Sequence, residues 1–297
     1  MRAKFTSADK LFHFCCIAFL SLACAIVLYP LIYCVSCSLS STSAITQGKV
    51  WLWPVDVNLK AYSSVLGFAR IRTGFFNSLL YVAGGTVAGV CIILLAAYPL
   101  SRKDLPGKKI FTVFFVITMF FNGGLIPNYM LMRNLNLIGS RWALIIGFMF
   151  SCYNMIIVKT YFQSSLPPGL LDAAQIDGCN DLRFFLVIAL PLAVPVIAVM
   201  ILFYAVWIWN SYFNGMLYLT DPATYSFQMV LRDILFVARM PQDIIDAMDP
   251  NVFMNLSNIL QQLRYAVLVV GALPMMVLYP FIQKYFIRGL MLGSLKE

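Results

Sequence analysis

Charge is scarce in this sequence. Of 297 residues only 11% are Asp, Glu, Lys or Arg, whereas 61% are drawn from Ala, Val, Ile, Leu, Met, Phe, Trp, Tyr and Cys. Soluble domains carry about 25% charged residues and roughly 45–50% apolar ones. So small a charged set cannot cover a globule of this size with a water-compatible surface, and the same numbers exclude intrinsic disorder. Histidine is rarer still. His13 stands alone, so neither a Ser-His-Asp set nor an H-E-x-x-H zinc site can be assembled; it reads as an interfacial residue beside an apolar run. No G-x-x-x-x-G-K-[ST] phosphate loop is present, because Gly107-Lys108-Lys109 lacks both the first glycine and the hydroxyl. The eight cysteines lie mostly in or beside apolar stretches. Cys34 and Cys37 have C-x-x-C spacing, but no second pair or nearby His completes a zinc site. They read as small apolar residues.

What is abundant is long apolar sequence. Six runs approach or exceed the roughly 20 residues that a helix needs to cross a bilayer: 11–35, 75–100, 110–132, 142–158, 184–209 and 265–281. None holds an Asp, Glu, Lys or Arg in its core. The first run is preceded by Arg2, Lys4 and Lys10 like a signal peptide. Its apolar stretch is about twice the usual length and no A-x-A site follows, so it is expected to remain as the first spanning helix. The reading is an all-α integral membrane protein with six transmembrane helices.

A net charge of +9 is compatible with a nucleic-acid partner, but the cations stand singly or in small groups between apolar runs and form no basic face with interleaved aromatics. They report topology instead. With the N-terminus inside, the cytoplasmic pieces hold Arg2, Lys4, Lys10, Arg102, Lys103, Lys108, Lys109, Lys159, Arg183, Lys284, Arg288 and Lys296, twelve of the 21. The short loop 101–109 alone carries four. Both termini are therefore expected in the cytoplasm, with 1–10 as a cytoplasmic start, 11–74 as the first helix and its external loop, 75–288 as the helical core, and 289–297 as a cytoplasmic tail. Two external segments are long. Residues 38–74 contain Trp51-Leu52-Trp53-Pro54, an interfacial anchor, and in 210–264 the stretch 225–240 reads equally as a helix near the membrane surface or as a solvated loop.

Ion-coupled carriers keep ionisable groups at mid-membrane for function, and here the interior polar residues are uncharged: Asn77, Ser78, Asn122, Asn154 and Asn210. One cytoplasmic segment breaks the pattern. Residues 159–183 hold Asp172, Asp177 and Asp181. Ser164 or Ser165 can cap a helix whose first turn contains Pro167-Pro168, where the missing N–H is harmless, and Gly178 supplies a left-handed stop. The resulting helix, about 168–178 with its stop, is too short to span. Ala173, Ala174 and Asp177 give it a face of small residues that a partner surface can approach closely, while Leu170, Leu171 and Ile176 anchor it to the bundle.

These residues carry a resemblance. Asp172-Ala173-Ala174, then Gly178, then Ile188-x-Leu190-Pro191 match the spacing of the signature E-A-A-x-x-x-G-x9-I-x-L-P of ABC importer permeases, with Asp172 where the family usually has Glu. Asn77-Ser78-Leu79 resembles the N-S-L that opens the permease core. Trp209-Asn210 with Phe213 is similar to its W-N-x-x-F element, and 287–296 resembles the family ending. Together they place the chain in the second-subunit branch of the maltose-type carbohydrate permeases. The segment 121–127, F-N-G-G-L-I-P, is similar to that of permeases for polysaccharide-derived oligosaccharides such as aldouronates and alginate.

The resemblance implies a type I importer transmembrane domain working with a homologous second permease, two cytoplasmic ATPases and an external solute-binding protein. ATP and Mg would bind on the ATPases, with no cofactor on this chain and no catalytic residue in it. Asp172, Ala173, Ala174, Asp177 and Gly178 would be coupling residues. Asn77, Asn122, Asn154, Trp209 and Asn210 would line the path of an oligosaccharide, acidic and uronate-containing in the branch named, across a bacterial inner membrane. The competing class is an ion-coupled carrier or channel that needs no ATPase.

Overall fold

In the computed structural model, residues 7–237, 263–281 and 283 are described, and no strand occurs among them. The chain divides into two compact units, Met1–Ala69 with Asp233–Ala272, and Arg70–Arg232 with Leu273–Glu297. The cations Arg2, Lys4, Lys284, Arg288 and Lys296, the family-like ending at 287–296 and the acids Asp243, Asp246 and Asp249 lie outside the described residues.

The first unit is dominated by α1 (Ser7–Ser38). Its apolar side chains project on every side, and Leu11, Phe14, Phe19, Leu22 and Ile26 are all exposed. A helix apolar all round has lipid as its solvent. Its C-terminal end is tied down by hydroxyls: Ser36 Oγ donates to Leu52 O at 2.6 Å, and Ser40 Oγ accepts from Val55 N at 3.0 Å. Short helices α2 (Thr42–Thr46) and α3 (Lys60–Gly67) follow, over a small core of Cys37, Ala44 and Val50 with Tyr33 and Tyr265 packed against it. Trp51 and Trp53 are exposed, as an aromatic anchor requires.

The second unit is built around α4 (Ala69–Ser101). Gly85-x-x-x-Gly89 on this helix makes room for a neighbour, α12 (Val194–Trp209): a Cβ at Gly89 would stand 2.5 Å from the Tyr204 ring, and one at Gly85 would stand 2.6 Å from Ile208 Cδ1. This is close packing at small residues, the usual way helices associate in lipid, where no hydrophobic force draws them together. The core around it includes Tyr81, Ile93, Leu144, Phe148, Met155, Phe162, Met200 and Tyr204.

The remaining helices depart from simple spans. The run 110–132 forms α5 (Lys108–Phe120) and α6 (Leu125–Asn134), bent by 113°. Gly124 makes the bend, at φ +85° and ψ −179°, a conformation open essentially to glycine alone. The run 142–158 is not one helix either. It divides into α7 (Trp142–Ile146) and α8 (Cys152–Ser165), the second capped by Ser151 Oγ.

After α9 (Pro168–Ile176) and α10 (Asp181–Phe184) comes a π-helical turn at Phe185–Ala189, then α11 (Leu190–Leu192) and a 78° break before α12. Pro191 and Pro195 each remove a helical donor here, which accounts for a break inside 184–209. α13 (Tyr212–Tyr218), a 3₁₀ turn at Pro222–Thr224 and α14 (Phe227–Val237) follow, and α15 (Leu263–Phe281) ends the described chain. Of the stretch 225–240, Phe227–Val237 is helical and 238–240 lie outside the described residues, with Phe227, Met229, Val230 and Leu231 buried. Among the described residues, three helices, α1, α4 and α15, are long and apolar enough to cross a membrane, or five spans if each bent pair counts as one. That is one fewer than the six runs, because 142–158 is interrupted.

Candidate functional site

The residues singled out by sequence fall into two sets. The first is α9. Pro168 opens it at N1, with Pro167 as N-cap and no side-chain cap. The expected capping by Ser164 or Ser165 is not seen: Ser165 ends α8, and Ser164 Oγ donates to Tyr161 O instead. The stop is as expected. Gly178 sits at φ +75°, Cys179 N donates to Ala174 O at 2.9 Å and Gly178 N to Gln175 O at 3.0 Å, the paired bonds of a Schellman motif.

One face of α9 is buried. Ala174 is 7% exposed, and Leu170 and Leu171 pack against the core. The other face presents Gly169, Asp172, Ala173 and Ile176 at positions i, i+3, i+4 and i+7, all exposed, followed by exposed Asp177 and Gly178. The structure therefore corrects two sequence assignments. Ile176, expected as an anchor, is 87% exposed, while Ala174, expected on the docking face, is in the core. The reason is register: Leu170, Leu171 and Ala174 share one stripe at i, i+1 and i+4, and Ile176 falls opposite. Among the described residues, Asp172 has no ion-pair or hydrogen-bond partner for its carboxylate. It stands at the lip of a pocket of about 390 Å³ whose apolar wall includes Phe162, Leu171 and Phe184.

Across that pocket lies Arg102, one residue beyond the end of α4. Its Nε donates to Asp104 Oδ1 at 2.8 Å, its Nη2 to Asp104 Oδ2 at 2.5 Å, and its Nη1 to Asp181 Oδ1. The hydrogen bonds from Arg102 hold the Asp104 carboxyl below its ordinary range, and the same bonds hold the guanidinium above its own. Lys108 Nζ donates to Ser101 O at 3.2 Å and Arg102 O at 2.7 Å. Nothing in the hydropathy of the loop 101–109 distinguishes Arg102 from its neighbouring cations. Its i, i+2 spacing to Asp104 was the available signal.

The second set is the polar residues assigned to a substrate path, and the structure does not bring them together. Asn77 is buried, and its amide donates to Ala223 O at 2.8 Å and Tyr225 O at 3.1 Å. Beside it Tyr81 Oη donates to Thr224 O at 2.6 Å, and Ser78 Oγ accepts from Phe227 N at 2.8 Å. These three α4 side chains clamp the segment from the 3₁₀ turn to α14. Asn122 is exposed at the α5–α6 bend, where its Oδ1 accepts from Gly124 N at 3.0 Å. Asn154 is buried in α8 near Tyr204. Trp209 is 2% exposed, stacked with Phe227 and edge-on to Phe75.

Asn210, one of the five, lines a pocket. It is about 410 Å³ and is shared with Trp207, Ser211, Tyr212, Phe213 and Asn214. Amides beside exposed aromatic faces are suited to a sugar, which is held by stacking and hydrogen bonds. Trp207 and Tyr212 were not anticipated, although both neighbour the W-N-x-x-F element.

No family model matches the chain. It is 36% identical, over 97% of its length and 99% of the relative's, to the polygalacturonan/rhamnogalacturonan transport system permease protein YtcP of Bacillus subtilis (strain 168). It is 34% identical, over 98% of its length and 97% of the relative's, to protein LplC of the same organism. Among solved structures it is similar to a chain of a bacterial ABC transporter involved in the import of the acidic polysaccharide alginate. That likeness has a TM-score of 0.85 and 32% identity, covering 95% of this chain and 99% of the other.

Proposed function

The chain belongs to the permeases of ABC sugar transporters, and from that membership we propose that it imports an acidic, uronate-containing oligosaccharide in a complex with a second permease, two ATPases and an external solute-binding protein. ATP and Mg bind on the ATPases, and this subunit performs no chemistry of its own. Relatives named for polygalacturonan and rhamnogalacturonan and for alginate support the substrate class. The pocket at Asn210 supplies aromatic faces and amides of the kind such a substrate needs. Both termini lie in the bacterial cytoplasm, and α9 and the loop 101–109 share that side with the ATPases.

The observation that carries the reading is the two-faced build of α9. One stripe is locked into the core while Gly169, Asp172, Ala173 and Ile176 stand free at helical spacing. Ala173 and the glycines let a partner backbone approach, Ile176 offers an apolar knob, and Asp172 offers an unpaired carboxylate. Docking there lets nucleotide-driven closure of the ATPases bias the permease between two states, which is the linkage that alternating access requires.

The test is Ala173→Trp in the assembled complex. The bulky ring is expected to displace the ATPase subunits on co-purification and to abolish ATP-driven uptake, while leaving the permease pair intact. Full ATPase association and normal uptake in this variant would falsify the role given to α9.

A further inference from the structure

We propose that Arg102 is the positioning residue that ties the segment carrying α9 to the end of α4, so that movement imposed on α9 is passed to a membrane helix. The proposal rests on the coupling role of α9 and adds the route by which force leaves it. Packing alone holds α9 by Leu170, Leu171 and Ala174, and apolar contact is non-directional. A cavity of about 390 Å³ separates the flank bearing Leu171, Asp172 and Gln175 from Ser101 and Arg102. The Tyr98 hydroxyl on its wall is buried, beside the Arg102 guanidinium, without a hydrogen bond of good geometry. Contacts across this gap cannot fix a register.

The ion pair can. Asp181 opens α10, whose N-terminus Asn180 fixes by accepting from Arg183 N at 2.8 Å. The Schellman turn ending at Cys179 joins it rigidly to α9. Among the described residues, Arg102–Asp181 is the one side-chain hydrogen bond between the α9–α10 segment and the end of α4. Its geometry is prepared in advance. Asp104 takes Nε and Nη2 in a fork, which aims the remaining Nη1 at Asp181. The Arg102 side chain is 13% exposed and that of Asp181 69% exposed, so the guanidinium is the sheltered partner. Isolated exposed ion pairs contribute little, but a forked guanidinium in a network is the exception. Lysine, a point donor, cannot serve both carboxylates with this fixed geometry.

The experiment uses the reconstituted complex of permeases, ATPases and solute-binding protein in liposomes. The transported probe is whichever of a set of alginate and galacturonate oligosaccharides binds the solute-binding protein most tightly in calorimetry. The readout is sugar moved per ATP hydrolysed. Asp181→Asn and Arg102→Lys are each expected to lower this ratio by at least about fivefold, the low end of an allosteric coupling, with the ATPases still co-purifying. The double variant is expected to be no worse than the poorer single one, because Asp181→Asn takes the charge from the same bond that Arg102→Lys disrupts. A wild-type ratio in Asp181→Asn overturns the proposal, as do additive losses in the double variant. If Arg102→Lys fails to assemble, Asp181→Asn decides. Ala173→Trp in the same assay separates the two ideas. Lost ATPase association there with a normal Asp181→Asn ratio rejects the role of Arg102 alone, whereas retained association and uptake reject the coupling role of α9.

Discussion

Asn77 illustrates what polarity in an apolar run can and cannot say. An uncharged amide inside a membrane helix fits a substrate path and an internal hydrogen bond equally well from sequence, because the partners lie about 146 residues away along the chain. The structure separates the two: both amide protons are spent on Ala223 O and Tyr225 O. Replacing Asn77 with leucine leaves those carbonyls without their donor, at a cost of about 1–3 kcal/mol. The expected result for Asn77→Leu is a complex that unfolds at a lower temperature in detergent while its preference among oligosaccharides is unchanged. Altered sugar preference with undiminished stability would return Asn77 to the path. Asp172 lies at the other extreme: a motif of fixed spacing singled it out, and its carboxylate has no partner among the described residues.

At the level of elements, hydropathy located the apolar runs but not their direction. A run such as 110–132 reads as one span because composition is indifferent to a single backbone angle, yet Gly124 turns the chain by 113°. The Gly123-Gly124 pair was visible in the sequence, and glycine's freedom made a bend permissible without making it necessary. The face of α9 failed for a related reason. Both Ala173 and Ala174 are small, and which of them turns outward depends on register against a core that sequence does not reveal.

Packing between α4 and α12 gives an element-scale test. A methyl at Gly89 meets the rigid Tyr204 ring at 2.5 Å, while one at Gly84 meets the flexible end of Ile145 at 3.3 Å. Gly89→Ala is therefore expected to destabilise by about 1–3 kcal/mol, the usual cost of overpacking, and Gly84→Ala by clearly less. Thermal unfolding of the two purified variants, compared side by side, checks the order, and equal midpoints would contradict the close approach of these helices.

On the scale of the whole molecule, the scarcity of charge becomes an argument about energy. None of the apolar runs holds an Asp, Glu, Lys or Arg in its core, and a chain that harvests a proton or sodium gradient ordinarily needs such a group, whose cost in the membrane is borne only for function. The sequence also lacks a phosphate loop. On the function proposed above, free energy for uphill transport enters through a contact with another protein at α9, on the side where the short loop 101–109 concentrates cations. Substrate identity was much less legible, because amides beside aromatic faces, such as Trp207, Asn210, Tyr212 and Phe213 around one pocket, suit sugars in general and name no single one. The expected behaviour in liposomes follows. The permease pair without ATPases should show no uptake above background under either a pH or a sodium gradient, and uptake should appear when ATPases, solute-binding protein and internal or external ATP on the ATPase side are supplied together. Uptake driven by an ion gradient in the absence of ATPases would mean that the uncharged polar residues of the spans suffice for coupling, and that α9 serves some other contact.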